Sequence, residues 1–174
     1  MPRLLRPLLL ALSLVAPAAL AETLYRIELI VFRQAQPVEA SQPAPEDWAG
    51  DLPALSAAAQ RSPALGDTAH QLEEQLGYPV LLHLSWQQDA DDAAGGVRFA
   101  TGPAQDGHHP LEGLLRLQGG RYLQLELQAW ANRFDADGFL AASEHLQHRR
   151  RLVPGQLTYL DHPSLGALIR VHAP

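Results

Sequence analysis

The segment LEGLLRLQGGRYLQLELQAWANRF, residues 111–134, limits the possible folds most strongly, because two alternating runs meet there at Gly119-Gly120. Glycine supplies the positive φ values that a tight hairpin turn needs. In the second run Leu123, Leu125, Leu127 and Ala129 share one face, and Tyr122, Gln124, Glu126, Gln128 and Trp130 share the other. We therefore expect a hairpin with one face in the core and the other face wet or covered by another segment.

Similar patterns elsewhere predict further strands, each short and most of them alternating. They cover residues 24–32, 80–86, 97–101, 145–153 at a sheet edge, and 165–172. An amphipathic helix is expected from Asp67, as its cap, to Leu76, with Gly77 just past its end, and a second short helix over residues 54–61. Six or seven strands against one or two helices predict an α+β domain with a mainly antiparallel sheet. A ferredoxin-like topology with an added hairpin is one arrangement that this pattern allows.

The N-terminus has the three parts of an export signal. Arg3 and Arg6 precede an apolar run at residues 8–20. The end of this run has small residues, Ala19 and Ala21, at the two positions that signal peptidase recognises. The run is too short for a membrane span of about 20 apolar residues. We expect residues 1–21 to be a cleaved signal peptide and residues 22–174 to be one α+β domain in the periplasm, with no membrane span after cleavage. Five prolines between residues 34 and 66 predict a proline-rich arm in that domain.

Composition excludes several kinds of chemistry. The chain has no cysteine, which rules out thiolate catalysis, disulfides and cysteine-ligated metals. All 13 basic residues are arginines, yet the formal net charge is −6, so nucleic acid is not an expected partner. Neither G-x-S-x-G nor S-x-x-K occurs. His145 and His148 would point to opposite faces of a strand, which argues against a shared metal. These absences predict no metal and no cofactor. Adjacent acidic pairs such as Glu73-Glu74 favour a solvated surface over glycosidase carboxylates, so an enzyme is not the expected function, and a wall-cleaving hydrolase is the alternative.

Arg149, Arg150 and Arg151 form the one basic run of an acidic chain, and they are candidates for binding a carboxylate or another anion. The alternative is that they protect an edge strand from aggregation. Trp48, in the polar string PEDWAG, is the candidate for stacking on a sugar ring. A core position is the alternative for Trp48, as for any tryptophan in a domain of this size.

Five strings resemble, in order, the CsiV family of periplasmic peptidoglycan-binding proteins. They are LYRIELIVFR, PEDW, YPVLLHLSWQQ, GGRYLQLELQAW and PGQLTYLDHPSLGALIRV, and they extend from Leu24 to Val171. The resemblance implies an exported, non-catalytic protein that binds peptidoglycan and supports cell-wall synthesis and cell shape. It also implies a penicillin-binding synthase, or the outer-membrane activator of one, as a partner. A module that contacts the synthase or its lipoprotein activator without binding glycan is the alternative.

The most specific of these strings contains Tyr159, Asp161 and His162. Tyr159 could stack on a sugar, and Asp161 with His162 could bind sugar hydroxyls or peptide amides. The alternative is a turn scaffold in which Pro163 sets the register of the last strand.

Overall fold

The computed structural model describes residues 24–89 and 95–173, which contain eight strands and one helix. The elements are β1 (Leu24–Arg33), α1 (Gly66–Glu74), β2 (Val80–Asp89), β3 (Gly96–Thr101), β4 (Leu111–Gln118), β5 (Leu123–Phe134), β6 (Leu140–Leu152), β7 (Leu157–Asp161) and β8 (Leu165–His172). The predicted signal peptide, residues 1–21, lies outside the described residues. Within them, no helix is both long and apolar enough to cross a membrane.

The described strands form two antiparallel sheets of four strands each. The first sheet has the order β2-β1-β8-β7, and the second has the order β3-β4-β5-β6. The second sheet is a meander in which each strand pairs with the next one along the chain. The predicted antiparallel class is therefore confirmed. The ferredoxin-like topology is not confirmed, because the described strands divide between two sheets and only one helix accompanies them.

The main core lies between the two sheets. The first sheet contributes Ile27, Leu29, Val31, Leu82, Trp86, Leu160, Leu165, Ala167, Ile169 and Val171. The second contributes Phe99, Leu111, Leu115, Leu117, Leu123, Leu125, Leu127, Ala131, Leu146 and Leu152. Alternation along each strand places these residues on one face, as predicted for the second run of the hairpin. The opposite faces of both sheets remain for other segments or for solvent.

Helix α1 covers part of the outer face of the first sheet. Ile30 and Phe32 of β1 pack there with Leu65 and Leu72. The Glu28 carboxylate accepts hydrogen bonds from the backbone amides of Ala64 and Leu65, at 2.8 and 2.7 Å, just before the helix begins. The predicted Asp67 cap is wrong, because the N-cap position is Leu65 and it makes no side-chain cap; Asp67 lies within the first turn.

The proline-containing segment between β1 and α1 runs along the sheet edges. Isolated bridges join Ser41 to Ser143 of β6, Ala54 to Arg98 of β3 and Gln60 to Trp86 of β2. β6, β3 and β2 are edge strands, and pairing with the arm covers part of their free backbone groups. The helix predicted at residues 54–61 is wrong. Its ends are extended bridge positions and only a turn lies between them.

Candidate functional site

The outer face of the second sheet carries aligned rows of side chains from adjacent strands. The register pairs Arg116 of β4 with Glu126 of β5, and Glu126 with Arg149 of β6. The next row on the same face joins Gln118, Gln124 and Arg151. Directly opposite residues of an antiparallel pair point to the same face, so these side chains lie together.

These two rows line an open groove of about 590 Å³, which we call the arginine groove. Its lining consists of Arg116, Gln118, Gln124, Leu125, Glu126, Arg149, Arg150 and Arg151. Three arginine side chains of the outer face, Arg116, Arg149 and Arg151, and one glutamate give it a net positive charge, whereas the whole chain has a net charge of −6. The charge of the groove therefore favours the binding of an anion.

Glu126 lies between two of the arginines. Arg149 Nη2 donates to Glu126 Oε1 at 3.0 Å, and Arg116 Nη1 lies 3.7 Å from Oε2. The amide of Gln128 also donates to Oε1, at 3.2 Å. Partial burial would raise the pKa of Glu126, but the hydrogen bonds from Arg149 and Gln128 outweigh it and hold the pKa below the ordinary value. Glu126 is thus ionised at neutral pH and neutralises one charge of the groove.

Arg151 is held by an aromatic ring. Its guanidinium carbon lies 4.3 Å from the centroid of the Tyr122 ring, and Arg121 approaches the same ring at 5.5 Å. A cation over a ring face is attracted by the ring quadrupole. The N–H groups of a guanidinium radiate in its own plane, so stacking on a face leaves them available to an anion.

Arg150 points away from its two neighbours. Its Nη1 donates to the carbonyl oxygen of Tyr159 at 3.2 Å, and His148 Nε2 lies 2.7 Å from the carbonyl oxygen of Asp161. These side chains of β6 therefore reach backbone groups of β7, an edge strand of the first sheet. The structure thus divides the predicted arginine run: Arg149 and Arg151 line the outer face, and Arg150 links the two sheets.

Tyr159 and Asp161 form a polar cluster on the outer face of the first sheet. Tyr159 donates to Asp161 Oδ1 at 2.6 Å, and the Gln34 amide nitrogen lies 3.0 Å from the phenol and 3.3 Å from that carboxylate. Partial burial and the bond to Asp161 raise the pKa of Tyr159 to about 12. Hydrogen bonds from Tyr159 and Gln34 lower the pKa of Asp161. Both residues remain exposed, so the ring and the carboxylate can reach a ligand.

His162 organises the turn between β7 and β8. Its Nδ1 lies 3.2 Å from the backbone nitrogens of both Ser164 and Leu165, as an acceptor. Burial lowers the pKa of His162, which favours the neutral ring that this role needs. His162 thus contributes to the turn scaffold, and a joint role of Asp161 and His162 in binding a ligand stays a prediction. Asp161 ends strand β7 and Leu165 begins β8, so the turn consists of residues 162–164.

Trp48 lies at the other end of the outer face of the second sheet. Its ring is 6.0 Å from that of Trp130, and Trp130 stacks on His145 at 4.2 Å with an interplanar angle of 3°. Trp48 is half-buried, and three surface concavities share it as a lining residue. The arm thus covers one end of the outer face and leaves the arginine groove open at the other.

The histidines and carboxylates of the described residues do not form a metal centre: no group of three or more potential ligands comes together in them. His145 and His148 lie on opposite faces of β6, as expected for a strand. His145 stacks on Trp130, whereas His148 contacts β7.

The family model described as "Peptidoglycan-binding protein, CsiV" matches residues 51–174, which is more than half of the chain. The chain belongs to the CsiV family. The resemblance found in the sequence is therefore confirmed, although the strings LYRIELIVFR and PEDW precede the matched residues. The arginine groove, Tyr159 and Asp161 all lie within the CsiV match, and Trp48 lies outside it. No curated protein and no solved structure matches the chain.

Arg116, Glu126 and Gln34 are site residues that the sequence analysis did not identify. Counting outward from Gly119-Gly120 would bring Arg116 opposite Leu123, whereas the observed register centres on Arg121 and pairs Arg116 with Glu126. The longer connection between β4 and β5 therefore hid this alignment from the sequence. Their alignment with Arg149 depends on the register between β5 and β6, which follows a longer turn. Gln34 reaches Tyr159 across 125 positions of sequence, and no local pattern indicates that contact.

Proposed function

We propose that this chain is an exported, non-catalytic protein of the periplasm that binds peptidoglycan and supports cell-wall synthesis and cell shape. The membership of a peptidoglycan-binding family supports the ligand. We place the peptidoglycan-binding surface at the arginine groove. It is open, it has a volume of about 590 Å³, and the side chains of Arg116, Arg149 and Arg151 make it positive.

A wall polymer offers two kinds of group to such a surface. Its stem peptides carry carboxylates, which pair with guanidinium groups in a planar fork. Its sugars offer flat faces, for which Trp48 supplies a partly exposed aromatic ring on the same outer face as the groove. Tyr159 supplies a second exposed ring, on the outer face of the first sheet. Contacts of this kind are individually weak, and repetition along a polymer raises the overall affinity through effective concentration. A deep pocket is therefore not required.

The chain would support wall synthesis by contacting protein partners. We propose a penicillin-binding synthase, or its outer-membrane activator, as the partner that a wall-bound chain of this family would assist. Binding to the synthase without direct glycan contact is the alternative outcome of the experiment below.

The experiment is sedimentation of the purified chain, from Glu22 onward, with isolated sacculi. We expect the chain to pellet with sacculi. We expect Arg151→Gln to raise the apparent dissociation constant about two- to fivefold, the range for one exposed charge contact. Arg61→Gln is the matched control, since Arg61 is exposed and contacts Gln87 and nearby carbonyls at the β2 edge.

Equal losses for Arg151→Gln and Arg61→Gln would mean that only net charge matters, and the groove would be rejected as the binding surface. Failure of the unmodified chain to pellet would reject direct wall binding and favour the protein-interaction alternative. Release of muropeptides during the incubation would contradict a non-catalytic role.

A further inference from the structure

We infer that the arginine groove binds the free carboxylates of peptidoglycan stem peptides, and that Glu126 is an internal competitor for the same arginines. The inference rests on the proposed function, since it names the part of the polymer that the groove takes. The evidence is the set of guanidinium N–H donors in the groove: some already bond to side chains of the protein, and the others are available to a ligand.

Arg149 has donors to spare. Its side chain is 75% exposed, and its bond to Glu126 uses Nη2. A guanidinium has five N–H donors and takes a carboxylate best through two parallel bonds. The single-nitrogen contact with Glu126 is therefore weaker than the forked contact that a ligand carboxylate can make.

Arg151 adds a second, oriented donor. Tyr122 holds the face of its guanidinium at 4.3 Å, which fixes the plane in which its N–H groups point. A side chain that is already ordered loses less conformational entropy when a ligand binds. Arg149 and Arg151 lie two positions apart on one face of β6, about 7 Å along the strand. The pair can therefore receive two carboxylates of one extended peptide.

The rest of the lining favours a peptide over a sugar. Gln118 and Gln124 face the groove in the same row as Arg151, and their amides can pair with peptide groups. The aromatic ring nearest to the groove, Tyr122, already has a guanidinium over one face. Stacking of a sugar on Tyr122 would therefore have to use its other face or displace Arg151, whereas carboxylate and amide recognition has its donors in place.

Glu126 occupies the position where a ligand carboxylate would lie. It contacts Arg149 at 3.0 Å and Arg116 at 3.7 Å on the two sides of one row. A bound stem peptide must displace at least the Arg149 contact or share that guanidinium. Removing the charge of Glu126 should therefore strengthen binding, which a purely structural role of Glu126 would not do.

The first test is a titration monitored by backbone amide chemical shifts, with a synthetic stem tetrapeptide and with the same peptide in which every carboxylate is amidated. We expect the free acid to bind and the amide to bind at least fivefold more weakly. Equal binding by both peptides, or no binding of the free acid up to about 10 mM, a concentration well above ordinary weak dissociation constants, overturns the inference.

The second test compares isosteric variants on the free-acid peptide. Glu126→Gln should tighten binding about two- to fivefold, and Arg149→Gln should weaken it by a similar factor. Glu74→Gln makes the same charge change in α1, which packs on the first sheet and not on the sheet that carries the groove. This control variant should leave binding nearly unchanged. If Glu126→Gln increases the affinity for the peptide no more than Glu74→Gln does, Glu126 does not compete with the ligand.

Sacculi separate this inference from the proposed function. Soluble glycan strands from which an amidase has removed the stem peptides should not release the chain from intact sacculi, whereas the free-acid stem peptide should. Release by the bare glycan strands would leave wall binding in place and reject the stem-peptide assignment. No pelleting with intact sacculi would reject the proposed function itself.

Discussion

Gly166 of β8 lies in the same row as Phe32 of β1 and Asp161 of β7, and Gly166→Ala tests the packing of this row. The Phe32 ring lies directly over the glycine. An added Cβ would overlap Cζ of that ring and lie 2.7 and 3.0 Å from Cε2 and Cε1. Phe32 cannot turn away freely, since it is 3% exposed and stacks between Tyr78, at 5.8 Å, and Tyr159, at 6.3 Å.

The magnitude follows from these distances. Carbon atoms pack best about 3.5–4.0 Å apart, so the Phe32 ring must move by about 1 Å to admit the methyl group. Forcing an extra methyl group into a packed core costs about 1–3 kcal/mol. We expect Gly166→Ala to lower the free energy of unfolding by about 1–3 kcal/mol, measured by urea denaturation at an unchanged m-value.

A double-mutant cycle gives this prediction its control. Phe32→Leu alone should be destabilising, because it removes a buried ring and leaves space behind. In that background Gly166→Ala should cost much less, since the clashing atoms are gone. Two costs that simply add, within about 0.5 kcal/mol, would refute the proposed overlap, as would a Gly166→Ala variant as stable as the parent.

Two further predictions concern pH and salt. Burial opposes ionisation of Glu28, but hydrogen bonds from His83, Leu65 and Ala64 outweigh it and hold its pKa below the ordinary 4.5. Because the folded-state pKa is the lower one, this stabilisation is complete above the unfolded-state pKa and is lost as the pH falls through the folded-state value. Denaturation below pH 4.5 should therefore reveal a loss of stability that is smaller in Glu28→Gln; identical pH profiles would contradict this. Sacculus binding should weaken between about 50 and 300 mM NaCl, since salt screens exposed charges, and salt-independent pelleting would argue against the arginine groove.

Local pattern was sufficient for part of the fold. The glycine pair at residues 119–120 and the alternation on both sides of it predicted the β4–β5 hairpin, and the edge position of β6 was predicted as well. The separation into two sheets was not predictable in this way. It depends on β1 pairing with β8 across most of the chain, and no local period indicates that pairing. Strand β7, Leu157–Asp161, was missed because its last residue, Asp161, and the following Pro163 are typical of turns.

The candidate site, like the fold, was predictable where it depends on local sequence and not where it depends on strand pairing. A run of three arginines indicated an anion-binding surface, but alternation along β6 sends Arg150 to the Tyr159 carbonyl and leaves Arg149 and Arg151 on the outer face. The partners Glu126 and Tyr122 come from another strand and another turn. A sequence shows which residues carry charge, whereas the register between strands decides which of those charges meet.

The most direct measurement is a map of backbone amide chemical-shift changes in the isotope-labelled chain as soluble muropeptides are added. The account predicts that the largest changes cluster in β4, β5 and β6 around Arg116, Gln124, Glu126, Arg149 and Arg151. It also predicts little change in α1 and β2. Changes centred on α1 and β2, or none at saturating muropeptide, would contradict it.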